Sequence, residues 1–183
     1  MVFERLFKGR NTKHAAAALY DSVVQQARRP ELYTLLGVPD TIDGRFDVLV
    51  LHVHLILRRL RGDGASMTGF AQALFDALFF DMDRTLRAMG VGDMSVGKRV
   101  KDMIRAYYGR AAAYDAALQV DDDALLLDAL GRNVFAGAPG PDGGVGLARY
   151  VRRSVDAIAA HSSSDILAGG VRFPDLLPMG DGV

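Results

Sequence analysis

Apolar residues recur at three- and four-residue spacing along most of this chain and almost nowhere at the alternate spacing of a half-buried strand. Leu19, Val23 and Ala27 share one face of a helix that Thr12 would cap and that runs to about Arg28. Pro30 can start a short second helix, Gly37 closes it, and Pro39 prevents its resumption. The segment 37–44, with Pro, Asp and Gly, has the composition of a tight turn. Residues 46–60 are where a strand competes. As a strand, His52 and His54 would share a face with Phe46, Val48 and Val50, and no alternation appears. As a helix, Phe46, Leu49, Val50, Val53, Ile56, Leu57 and Leu60 form one apolar arc, and Val48, Leu51 and Leu55 a second. The polar strips Asp47/His54/Arg58 and His52/Arg59 separate them. Two apolar arcs require neighbours on both sides, so this is the predicted central helix.

Ser66 or Thr68 would cap the next helix, which runs to about Met89 and stops at Gly90. Its apolar arc holds Phe70, Leu74, Phe75, Ala77, Leu78, Phe79, Met82 and Leu86. Two residues break the pattern: Asp81 falls inside that arc, and Phe80 falls inside the polar strip of Asp76, Asp83, Arg84 and Arg87. From Ser95 onward, Val96, Val100, Met103, Ile104, Tyr107, Ala111, Tyr114 and Leu118 keep an unbroken three–four spacing. Asp121, Asp122 and Asp123 suit a helix N-terminus ahead of Leu125, Leu126, Leu127 and Leu130. Glycine and proline make 136–144 a loop, and one more helix is expected over about 145–161. The prediction is a single all-α domain of about six to seven helices around a central buried helix. Residues 12–162 form that domain, 1–11 a basic leading segment and 163–183 a mostly irregular tail.

Composition narrows the function classes. The 183 residues include no cysteine, which excludes disulfides and thiolate chemistry, and four histidines without cysteine argue against a zinc site. Charge interrupts every apolar stretch well before about 18 residues, so no helix is expected to span a bilayer. No long apolar secretory signal opens the chain, and a soluble, cytoplasmic protein is expected. Formal net charge is zero, yet residues 1–110 carry 17 Lys/Arg against 12 Asp/Glu and residues 111–183 carry 5 against 10. Such asymmetry can orient a protein on an anionic surface, or it can be an accident of solvated faces. At the opening, Phe3, Leu6 and Phe7 stand at helical spacing among basic residues. Residues 2–10 therefore read either as a short amphipathic contact with an anionic membrane, the cytoplasmic face of the inner membrane, or as an ordinary terminus.

Candidate chemistry is sparse. Gly92 to Lys98 matches the start of a phosphate-binding loop, but Arg99 stands where a magnesium-ligating Ser or Thr belongs and a helix precedes it. His52 and His54, two apart on a helix, point in nearly opposite directions and cannot share one metal ion; His54 fits a hydrogen-bonded structural histidine. Asp81 should be paired with an arginine from another helix, Arg45 or Arg58. Phe80 either packs under the 62–66 loop or, if exposed, marks a protein-binding patch. Lys98, Lys101, Arg105 and Tyr108 form a basic strip tipped by an aromatic, which is either a solvated face or a docking strip for an acidic partner or ribosomal RNA. No catalytic residue, cofactor site, metal site or small-molecule substrate is expected from these patterns, and no DNA contact.

Two blocks carry a family resemblance. The first is Gly37-Val38-Pro39-Asp40-Thr41-Ile42-Asp43-Gly44-Arg45-Phe46-Asp47 with His52. The second combines Phe75, Asp76, Asp81, Met82, Asp83 and Arg84, then Gly90-Val91-Gly92-Asp93, Val96-Gly97-Lys98, Val100-Lys101 and Tyr107-Tyr108-Gly109-Arg110. Together they resemble the ubiquinol–cytochrome c chaperone family, over roughly residues 14–118. The resemblance implies an all-helical, non-enzymatic assembly chaperone that binds newly made cytochrome b, near the ribosome or membrane, during biogenesis of the respiratory bc1 complex. Eukaryotic members carry long N-terminal targeting extensions, and the expectation here is that membrane contact falls to residues 2–10. A client surface would then use Asp76, Phe80, Asp83, Arg84 and Arg87, with Lys98, Lys101, Arg105 and Tyr108 as a second contact. The competing expectation is a helical enzyme or small-molecule binder with a polar cavity near Asp81, His54 and Tyr107. An open apolar groove favours the first and a deep polar cavity the second.

Overall fold

A computed structural model describes residues 2–137 and 141–176, with the side chains at 2–10, 66, 141 and 143 excepted. Among the described residues the regular structure is entirely helical. It comprises α1 (Val2–Ala27), α2 (Pro30–Thr34), α3 (Ile42–Arg61), α4 (Thr68–Ala88), α5 (Asp93–Ala117), α6 (Ala124–Asn133), α7 (Val145–Ala159) and α8 (Ser163–Leu167). Single 3-10 turns at Gly64–Met67 and Pro141–Gly144 lead into α4 and α7.

The two-arc pattern of residues 46–60 has the predicted consequence: α3 is buried on nearly every side, from Asp47 through Leu57 and again at Leu60. Around it run α1, α4, α5, α6 and α7, each packed on the next. The ring closes where Gln26 of α1 donates to the Tyr150 hydroxyl of α7 at 2.9 Å. The short α8 packs on α1 and starts with a capping box in which Ser162 and Asp165 satisfy each other's backbone.

Several expected boundaries move. Thr12 lies inside α1, which begins at Val2 and continues through Gly9, whose cost of about 1 kcal/mol does not end the helix. The anchor assigned to residues 2–10 rests on side chains outside the described set. Helix α4 is entered through the Gly64–Met67 turn with Met67 at its N-cap, so Thr68 does not cap it; the Ser66 side chain is outside the described set. Helix α5 starts at Asp93, two residues before Ser95. At α3 the cap is well defined: the Thr41 hydroxyl accepts from the Gly44 amide at 3.0 Å. The chain arrives there through Gly37, whose φ of 68° is left-handed.

Ion pairs set how far α3 and α5 are slid along each other. Asp47 pairs with Arg110 at 2.7 Å. Farther along, Asp115 accepts from His54 at 3.1 Å and from Arg61 at 2.8 Å. The two helices therefore run in the same sense, with α4 antiparallel between its neighbours. Because Asp47 lies one turn into α3 while Arg110 lies near the far end of α5, the first part of α5 has no α3 beside it. The α4–α5 hairpin overhangs the start of α3 by roughly 12 residues of α5, about 18 Å.

Candidate functional site

That overhang leaves apolar side chains uncovered. An open trough of about 630 Å³ lies between the first turns of α3, the last turns of α4 and the first half of α5. Ile42 and Phe46 form one wall, Met82, Leu86 and Met89 another, and Met103 the third. Ile42 is 68 % exposed and Met89 55 %, so both stand on the lips. A second, smaller trough of about 340 Å³ shares Ile42, Phe46, Met82 and Thr85 with the first and continues toward Tyr33, Val24 and Ala27. The two adjoin at this end of the bundle, and the larger is an open apolar channel. Methionine walls suit a partner of variable shape, since an unbranched thioether repacks at low cost.

Polar groups border the channel. Asp47 and Arg110 sit in its wall as the pair that joins α3 to α5; burial pushes the Asp47 carboxyl up to about 6 against the pull of Arg110. Asp102 is held by Arg105 at 2.8 Å. Asp43 and Arg99 face each other across the channel on α3 and α5, neither in an ion pair among the described residues. The arrangement has an apolar floor and a charged rim, the anatomy of a protein-binding site.

The residues expected to bind a partner lie elsewhere. Phe80 is 70 % exposed and does not pack under the 62–66 loop. It points roughly opposite to Met82, Leu86 and Met89 on α4. Its polar neighbours are already engaged: Asp76 with Gln72, Asp83 with Arg87, Arg87 also with Asp93, and Arg84 with Asp81. Lys98, Lys101, Arg105 and Tyr108 are exposed on the outer face of α5. Tyr108 meets Phe75 of α4 across the seam, with ring centroids 5.9 Å apart. Both sets thus occupy the outward face of the hairpin, and the channel opens on its inward face.

Asp81 departs from expectation too. Its partners are the Tyr20 hydroxyl of α1 at 2.9 Å and Arg84 of its own helix at 3.1 Å. Neither Arg45 nor Arg58 reaches it: Arg45 holds Asp40 at 2.6 Å, and Arg58 approaches Asp115 at 3.7 Å. A tyrosine on the abutting helix satisfied the carboxylate where an arginine was expected, and desolvation together with the Asp81 charge raises the Tyr20 pKa.

Asp81 lines the smaller trough, and neither trough is lined by His54 or Tyr107. Both histidines of α3 are structural. His52 Nδ1 lies 2.7 Å from the Val48 carbonyl and Nε2 lies 2.7 Å from the Tyr150 hydroxyl. A carbonyl only accepts, so Nδ1 carries the proton and Tyr150 donates to Nε2. Burial brings both imidazoles down to about 4. Among the described residues no group of three or more His, Cys, Asp or Glu could hold a metal ion.

Sequence periodicity assigned Met82, Leu86 and Met103 to the core. Their spacing is indeed that of a buried face; what leaves them open is the offset between α3 and α5. The available signal was the first resemblance block, because Ile42, Asp43, Phe46 and Asp47 meet Met82 and Arg110 of the second block at this one channel.

Comparison with known proteins agrees in fold. The profile of the ubiquinol–cytochrome c chaperone family matches residues 34–173. The crystal structure of the Cbp3 homolog from Brucella abortus superposes with a TM-score of 0.84 at 33 % sequence identity, covering 96 % of this chain and 98 % of that one. The ubiquinol–cytochrome-c reductase complex assembly factor 1 of Xenopus laevis is 25 % identical over 159 residues, 86 % of this chain and 79 % of the frog protein. Its mouse counterpart is 27 % identical over 167 residues, 90 % of this chain but 56 % of the mouse protein. The chain therefore spans little more than half the length of that mammalian relative.

Proposed function

This chain belongs to the ubiquinol–cytochrome c chaperone family, and from that premise we propose that it is an assembly chaperone for the cytochrome bc1 complex that works by binding and not by catalysis. Its client on this reading is newly synthesised cytochrome b, and the inward channel of the α4–α5 hairpin is where an apolar client segment is held.

The observation that carries the reading is the channel itself: open, apolar, walled by three methionines and rimmed by charge. A helix laid into such a groove buries its own apolar face without requiring a fixed complementary shape. No helix among the described residues is long and apolar enough to cross a membrane, so the chain meets a membrane-bound client from outside the bilayer or through another segment. The outward face supplies a second contact. Lys98 and Lys101 are exposed there without an acidic partner among the described residues, which suits an acidic protein or ribosomal RNA. Residues 2–10, with their basic and apolar composition, are the proposed contact with an anionic membrane at the cytoplasmic face.

The test places a photo-crosslinking amino acid at position 89 or at position 80 of the full chain, in cells that make the bc1 complex. Adducts to cytochrome b from position 89 are expected, identified by mass spectrometry. Adducts from position 80 alone would move the client to the outward face, and absence of cytochrome b from both would remove it as the client.

A further inference from the structure

We propose that Met89 is a reversible oxidation site through which peroxide lowers the affinity of the channel for its apolar partner. The proposal rests on the channel being the client site.

The chain has no cysteine and seven methionines, so thioethers are the only sulfurs that an oxidant can reach. Three of them, Met82, Met89 and Met103, wall the channel. Their accessibility is graded. Met89 stands more than half exposed on the lip, whereas Met82 and Met103 are half-buried. Two further methionines serve as internal references. Met94 is 96 % exposed but lies outside the channel, and Met67 is buried at the start of α4.

In the reaction the thioether sulfur attacks one oxygen of hydrogen peroxide, the O–O bond breaks and an S–O bond forms. The departing hydroxide takes up the proton and leaves as water, so sulfur loses two electrons and peroxide gains them. A methionine sulfoxide reductase with a dithiol reverses the change, giving water and a disulfide. The sulfoxide oxygen is a strong acceptor that water satisfies on the open lip; Ile42, Phe46 and Leu86 offer it no donor, and Thr85 and Arg99, the exposed donors of the same wall, face solvent. A partner that covers the lip would bury this oxygen without a hydrogen bond, which weakens binding by about tenfold.

The experiment exposes the full chain to dilute hydrogen peroxide, maps sulfoxides by peptide mass spectrometry, and measures binding to detergent-solubilised cytochrome b before and after. Met94 and Met89 should convert ahead of Met82 and Met103, with Met67 last. Affinity should fall about tenfold and recover with the reductase. Binding by Met89→Leu, whatever its starting affinity, should be insensitive to peroxide, and Met94→Leu should remain sensitive. Unchanged affinity with Met89 fully oxidised overturns the inference and leaves the chaperone reading intact, as does an equal peroxide-induced loss in Met89→Leu. A collapse of helical circular dichroism on oxidation would assign the effect to the core and overturn it too. Failure of the untreated chain to bind cytochrome b overturns the reading itself, and the inference with it, before any oxidant is added.

Discussion

Burial keeps the imidazole of His52 neutral. One nitrogen faces a carbonyl, the other accepts from Tyr150, and Gln26 completes the relay to α1. His54 is nearly as enclosed, with Asp115 as its partner. Each is neutral in the folded state down to about 4, whereas the unfolded chain takes up these protons near 6.5. Between those values the unfolded chain binds the extra protons, so stability is complete above about 6.5 and is lost as pH falls toward 4. Fully developed, the loss is on the order of 3 kcal/mol per histidine. Asp47 acts in the opposite sense: its folded pKa is raised, so its contribution is present at low pH and lost as pH rises through about 6. Two histidines outweigh one carboxyl, and the urea midpoint should drop between pH 7 and pH 5. His52→Gln should flatten that slope, and a midpoint indifferent to pH across this range would show that water reaches both rings. Sequence periodicity placed both histidines on α3 and excluded a shared metal, but their partners Tyr150 and Asp115 lie 98 and 61 residues away along the chain. No local pattern reports contacts of that span.

Among the elements, α3 was the most legible because its signal is geometric: two apolar arcs on one helix have no arrangement except the middle of a bundle. Its entry is legible only in retrospect. A Cβ on Gly44 would sit 2.1 Å from the Pro39 carbonyl oxygen, so the 37–44 turn folds against the first turn of α3 only if that residue has no side chain. Gly44→Ala should therefore cost on the order of 2–3 kcal/mol as the turn shifts, read as a lower thermal midpoint. Gly97→Ala is the matched control. It lies in α5 with nothing within 4 Å of the added carbon, and it should stabilise by about 0.5–1 kcal/mol. Equal destabilisation by both would show that the turn tolerates the extra atom. The resemblance block around Gly44 is thus partly a packing requirement. By contrast, the faces of α4 and α5 that wall the channel were read as core, since a helical wheel shows which face is apolar and says nothing about what lies over it.

For the whole molecule the decisive quantity is register. The pairing of Asp47 with Arg110 determines where α3 begins relative to α5, and hence that one end of the apolar interior stays open. Ile42 and Met89 contribute little to stability from such exposed positions, so Ile42→Glu with Met89→Glu should leave the unfolding free energy within about 1 kcal/mol of the parent. The same pair should abolish cytochrome b capture in pull-downs from gently solubilised membranes. Undiminished capture would place the client on the outward face with Phe80. Family resemblance made the class of activity readable from the sequence, whereas the two strips it seemed to favour lie on the face turned away from the channel.

The overhanging hairpin tip is supported along one side only, and a beam held at one end is a cantilever. Its stiffness comes from α4 and α5 gripping each other, with the Arg87–Asp93 pair near the tip, and the aperture beneath depends on how far that beam deflects. A tip of this kind would admit a bulky guest by bending, at an elastic cost borne by α4 and α5 and not by the buried ring around α3. On the proposed reading, grip and fold would be separate mechanical properties, so that a client could be released without loosening the chaperone itself.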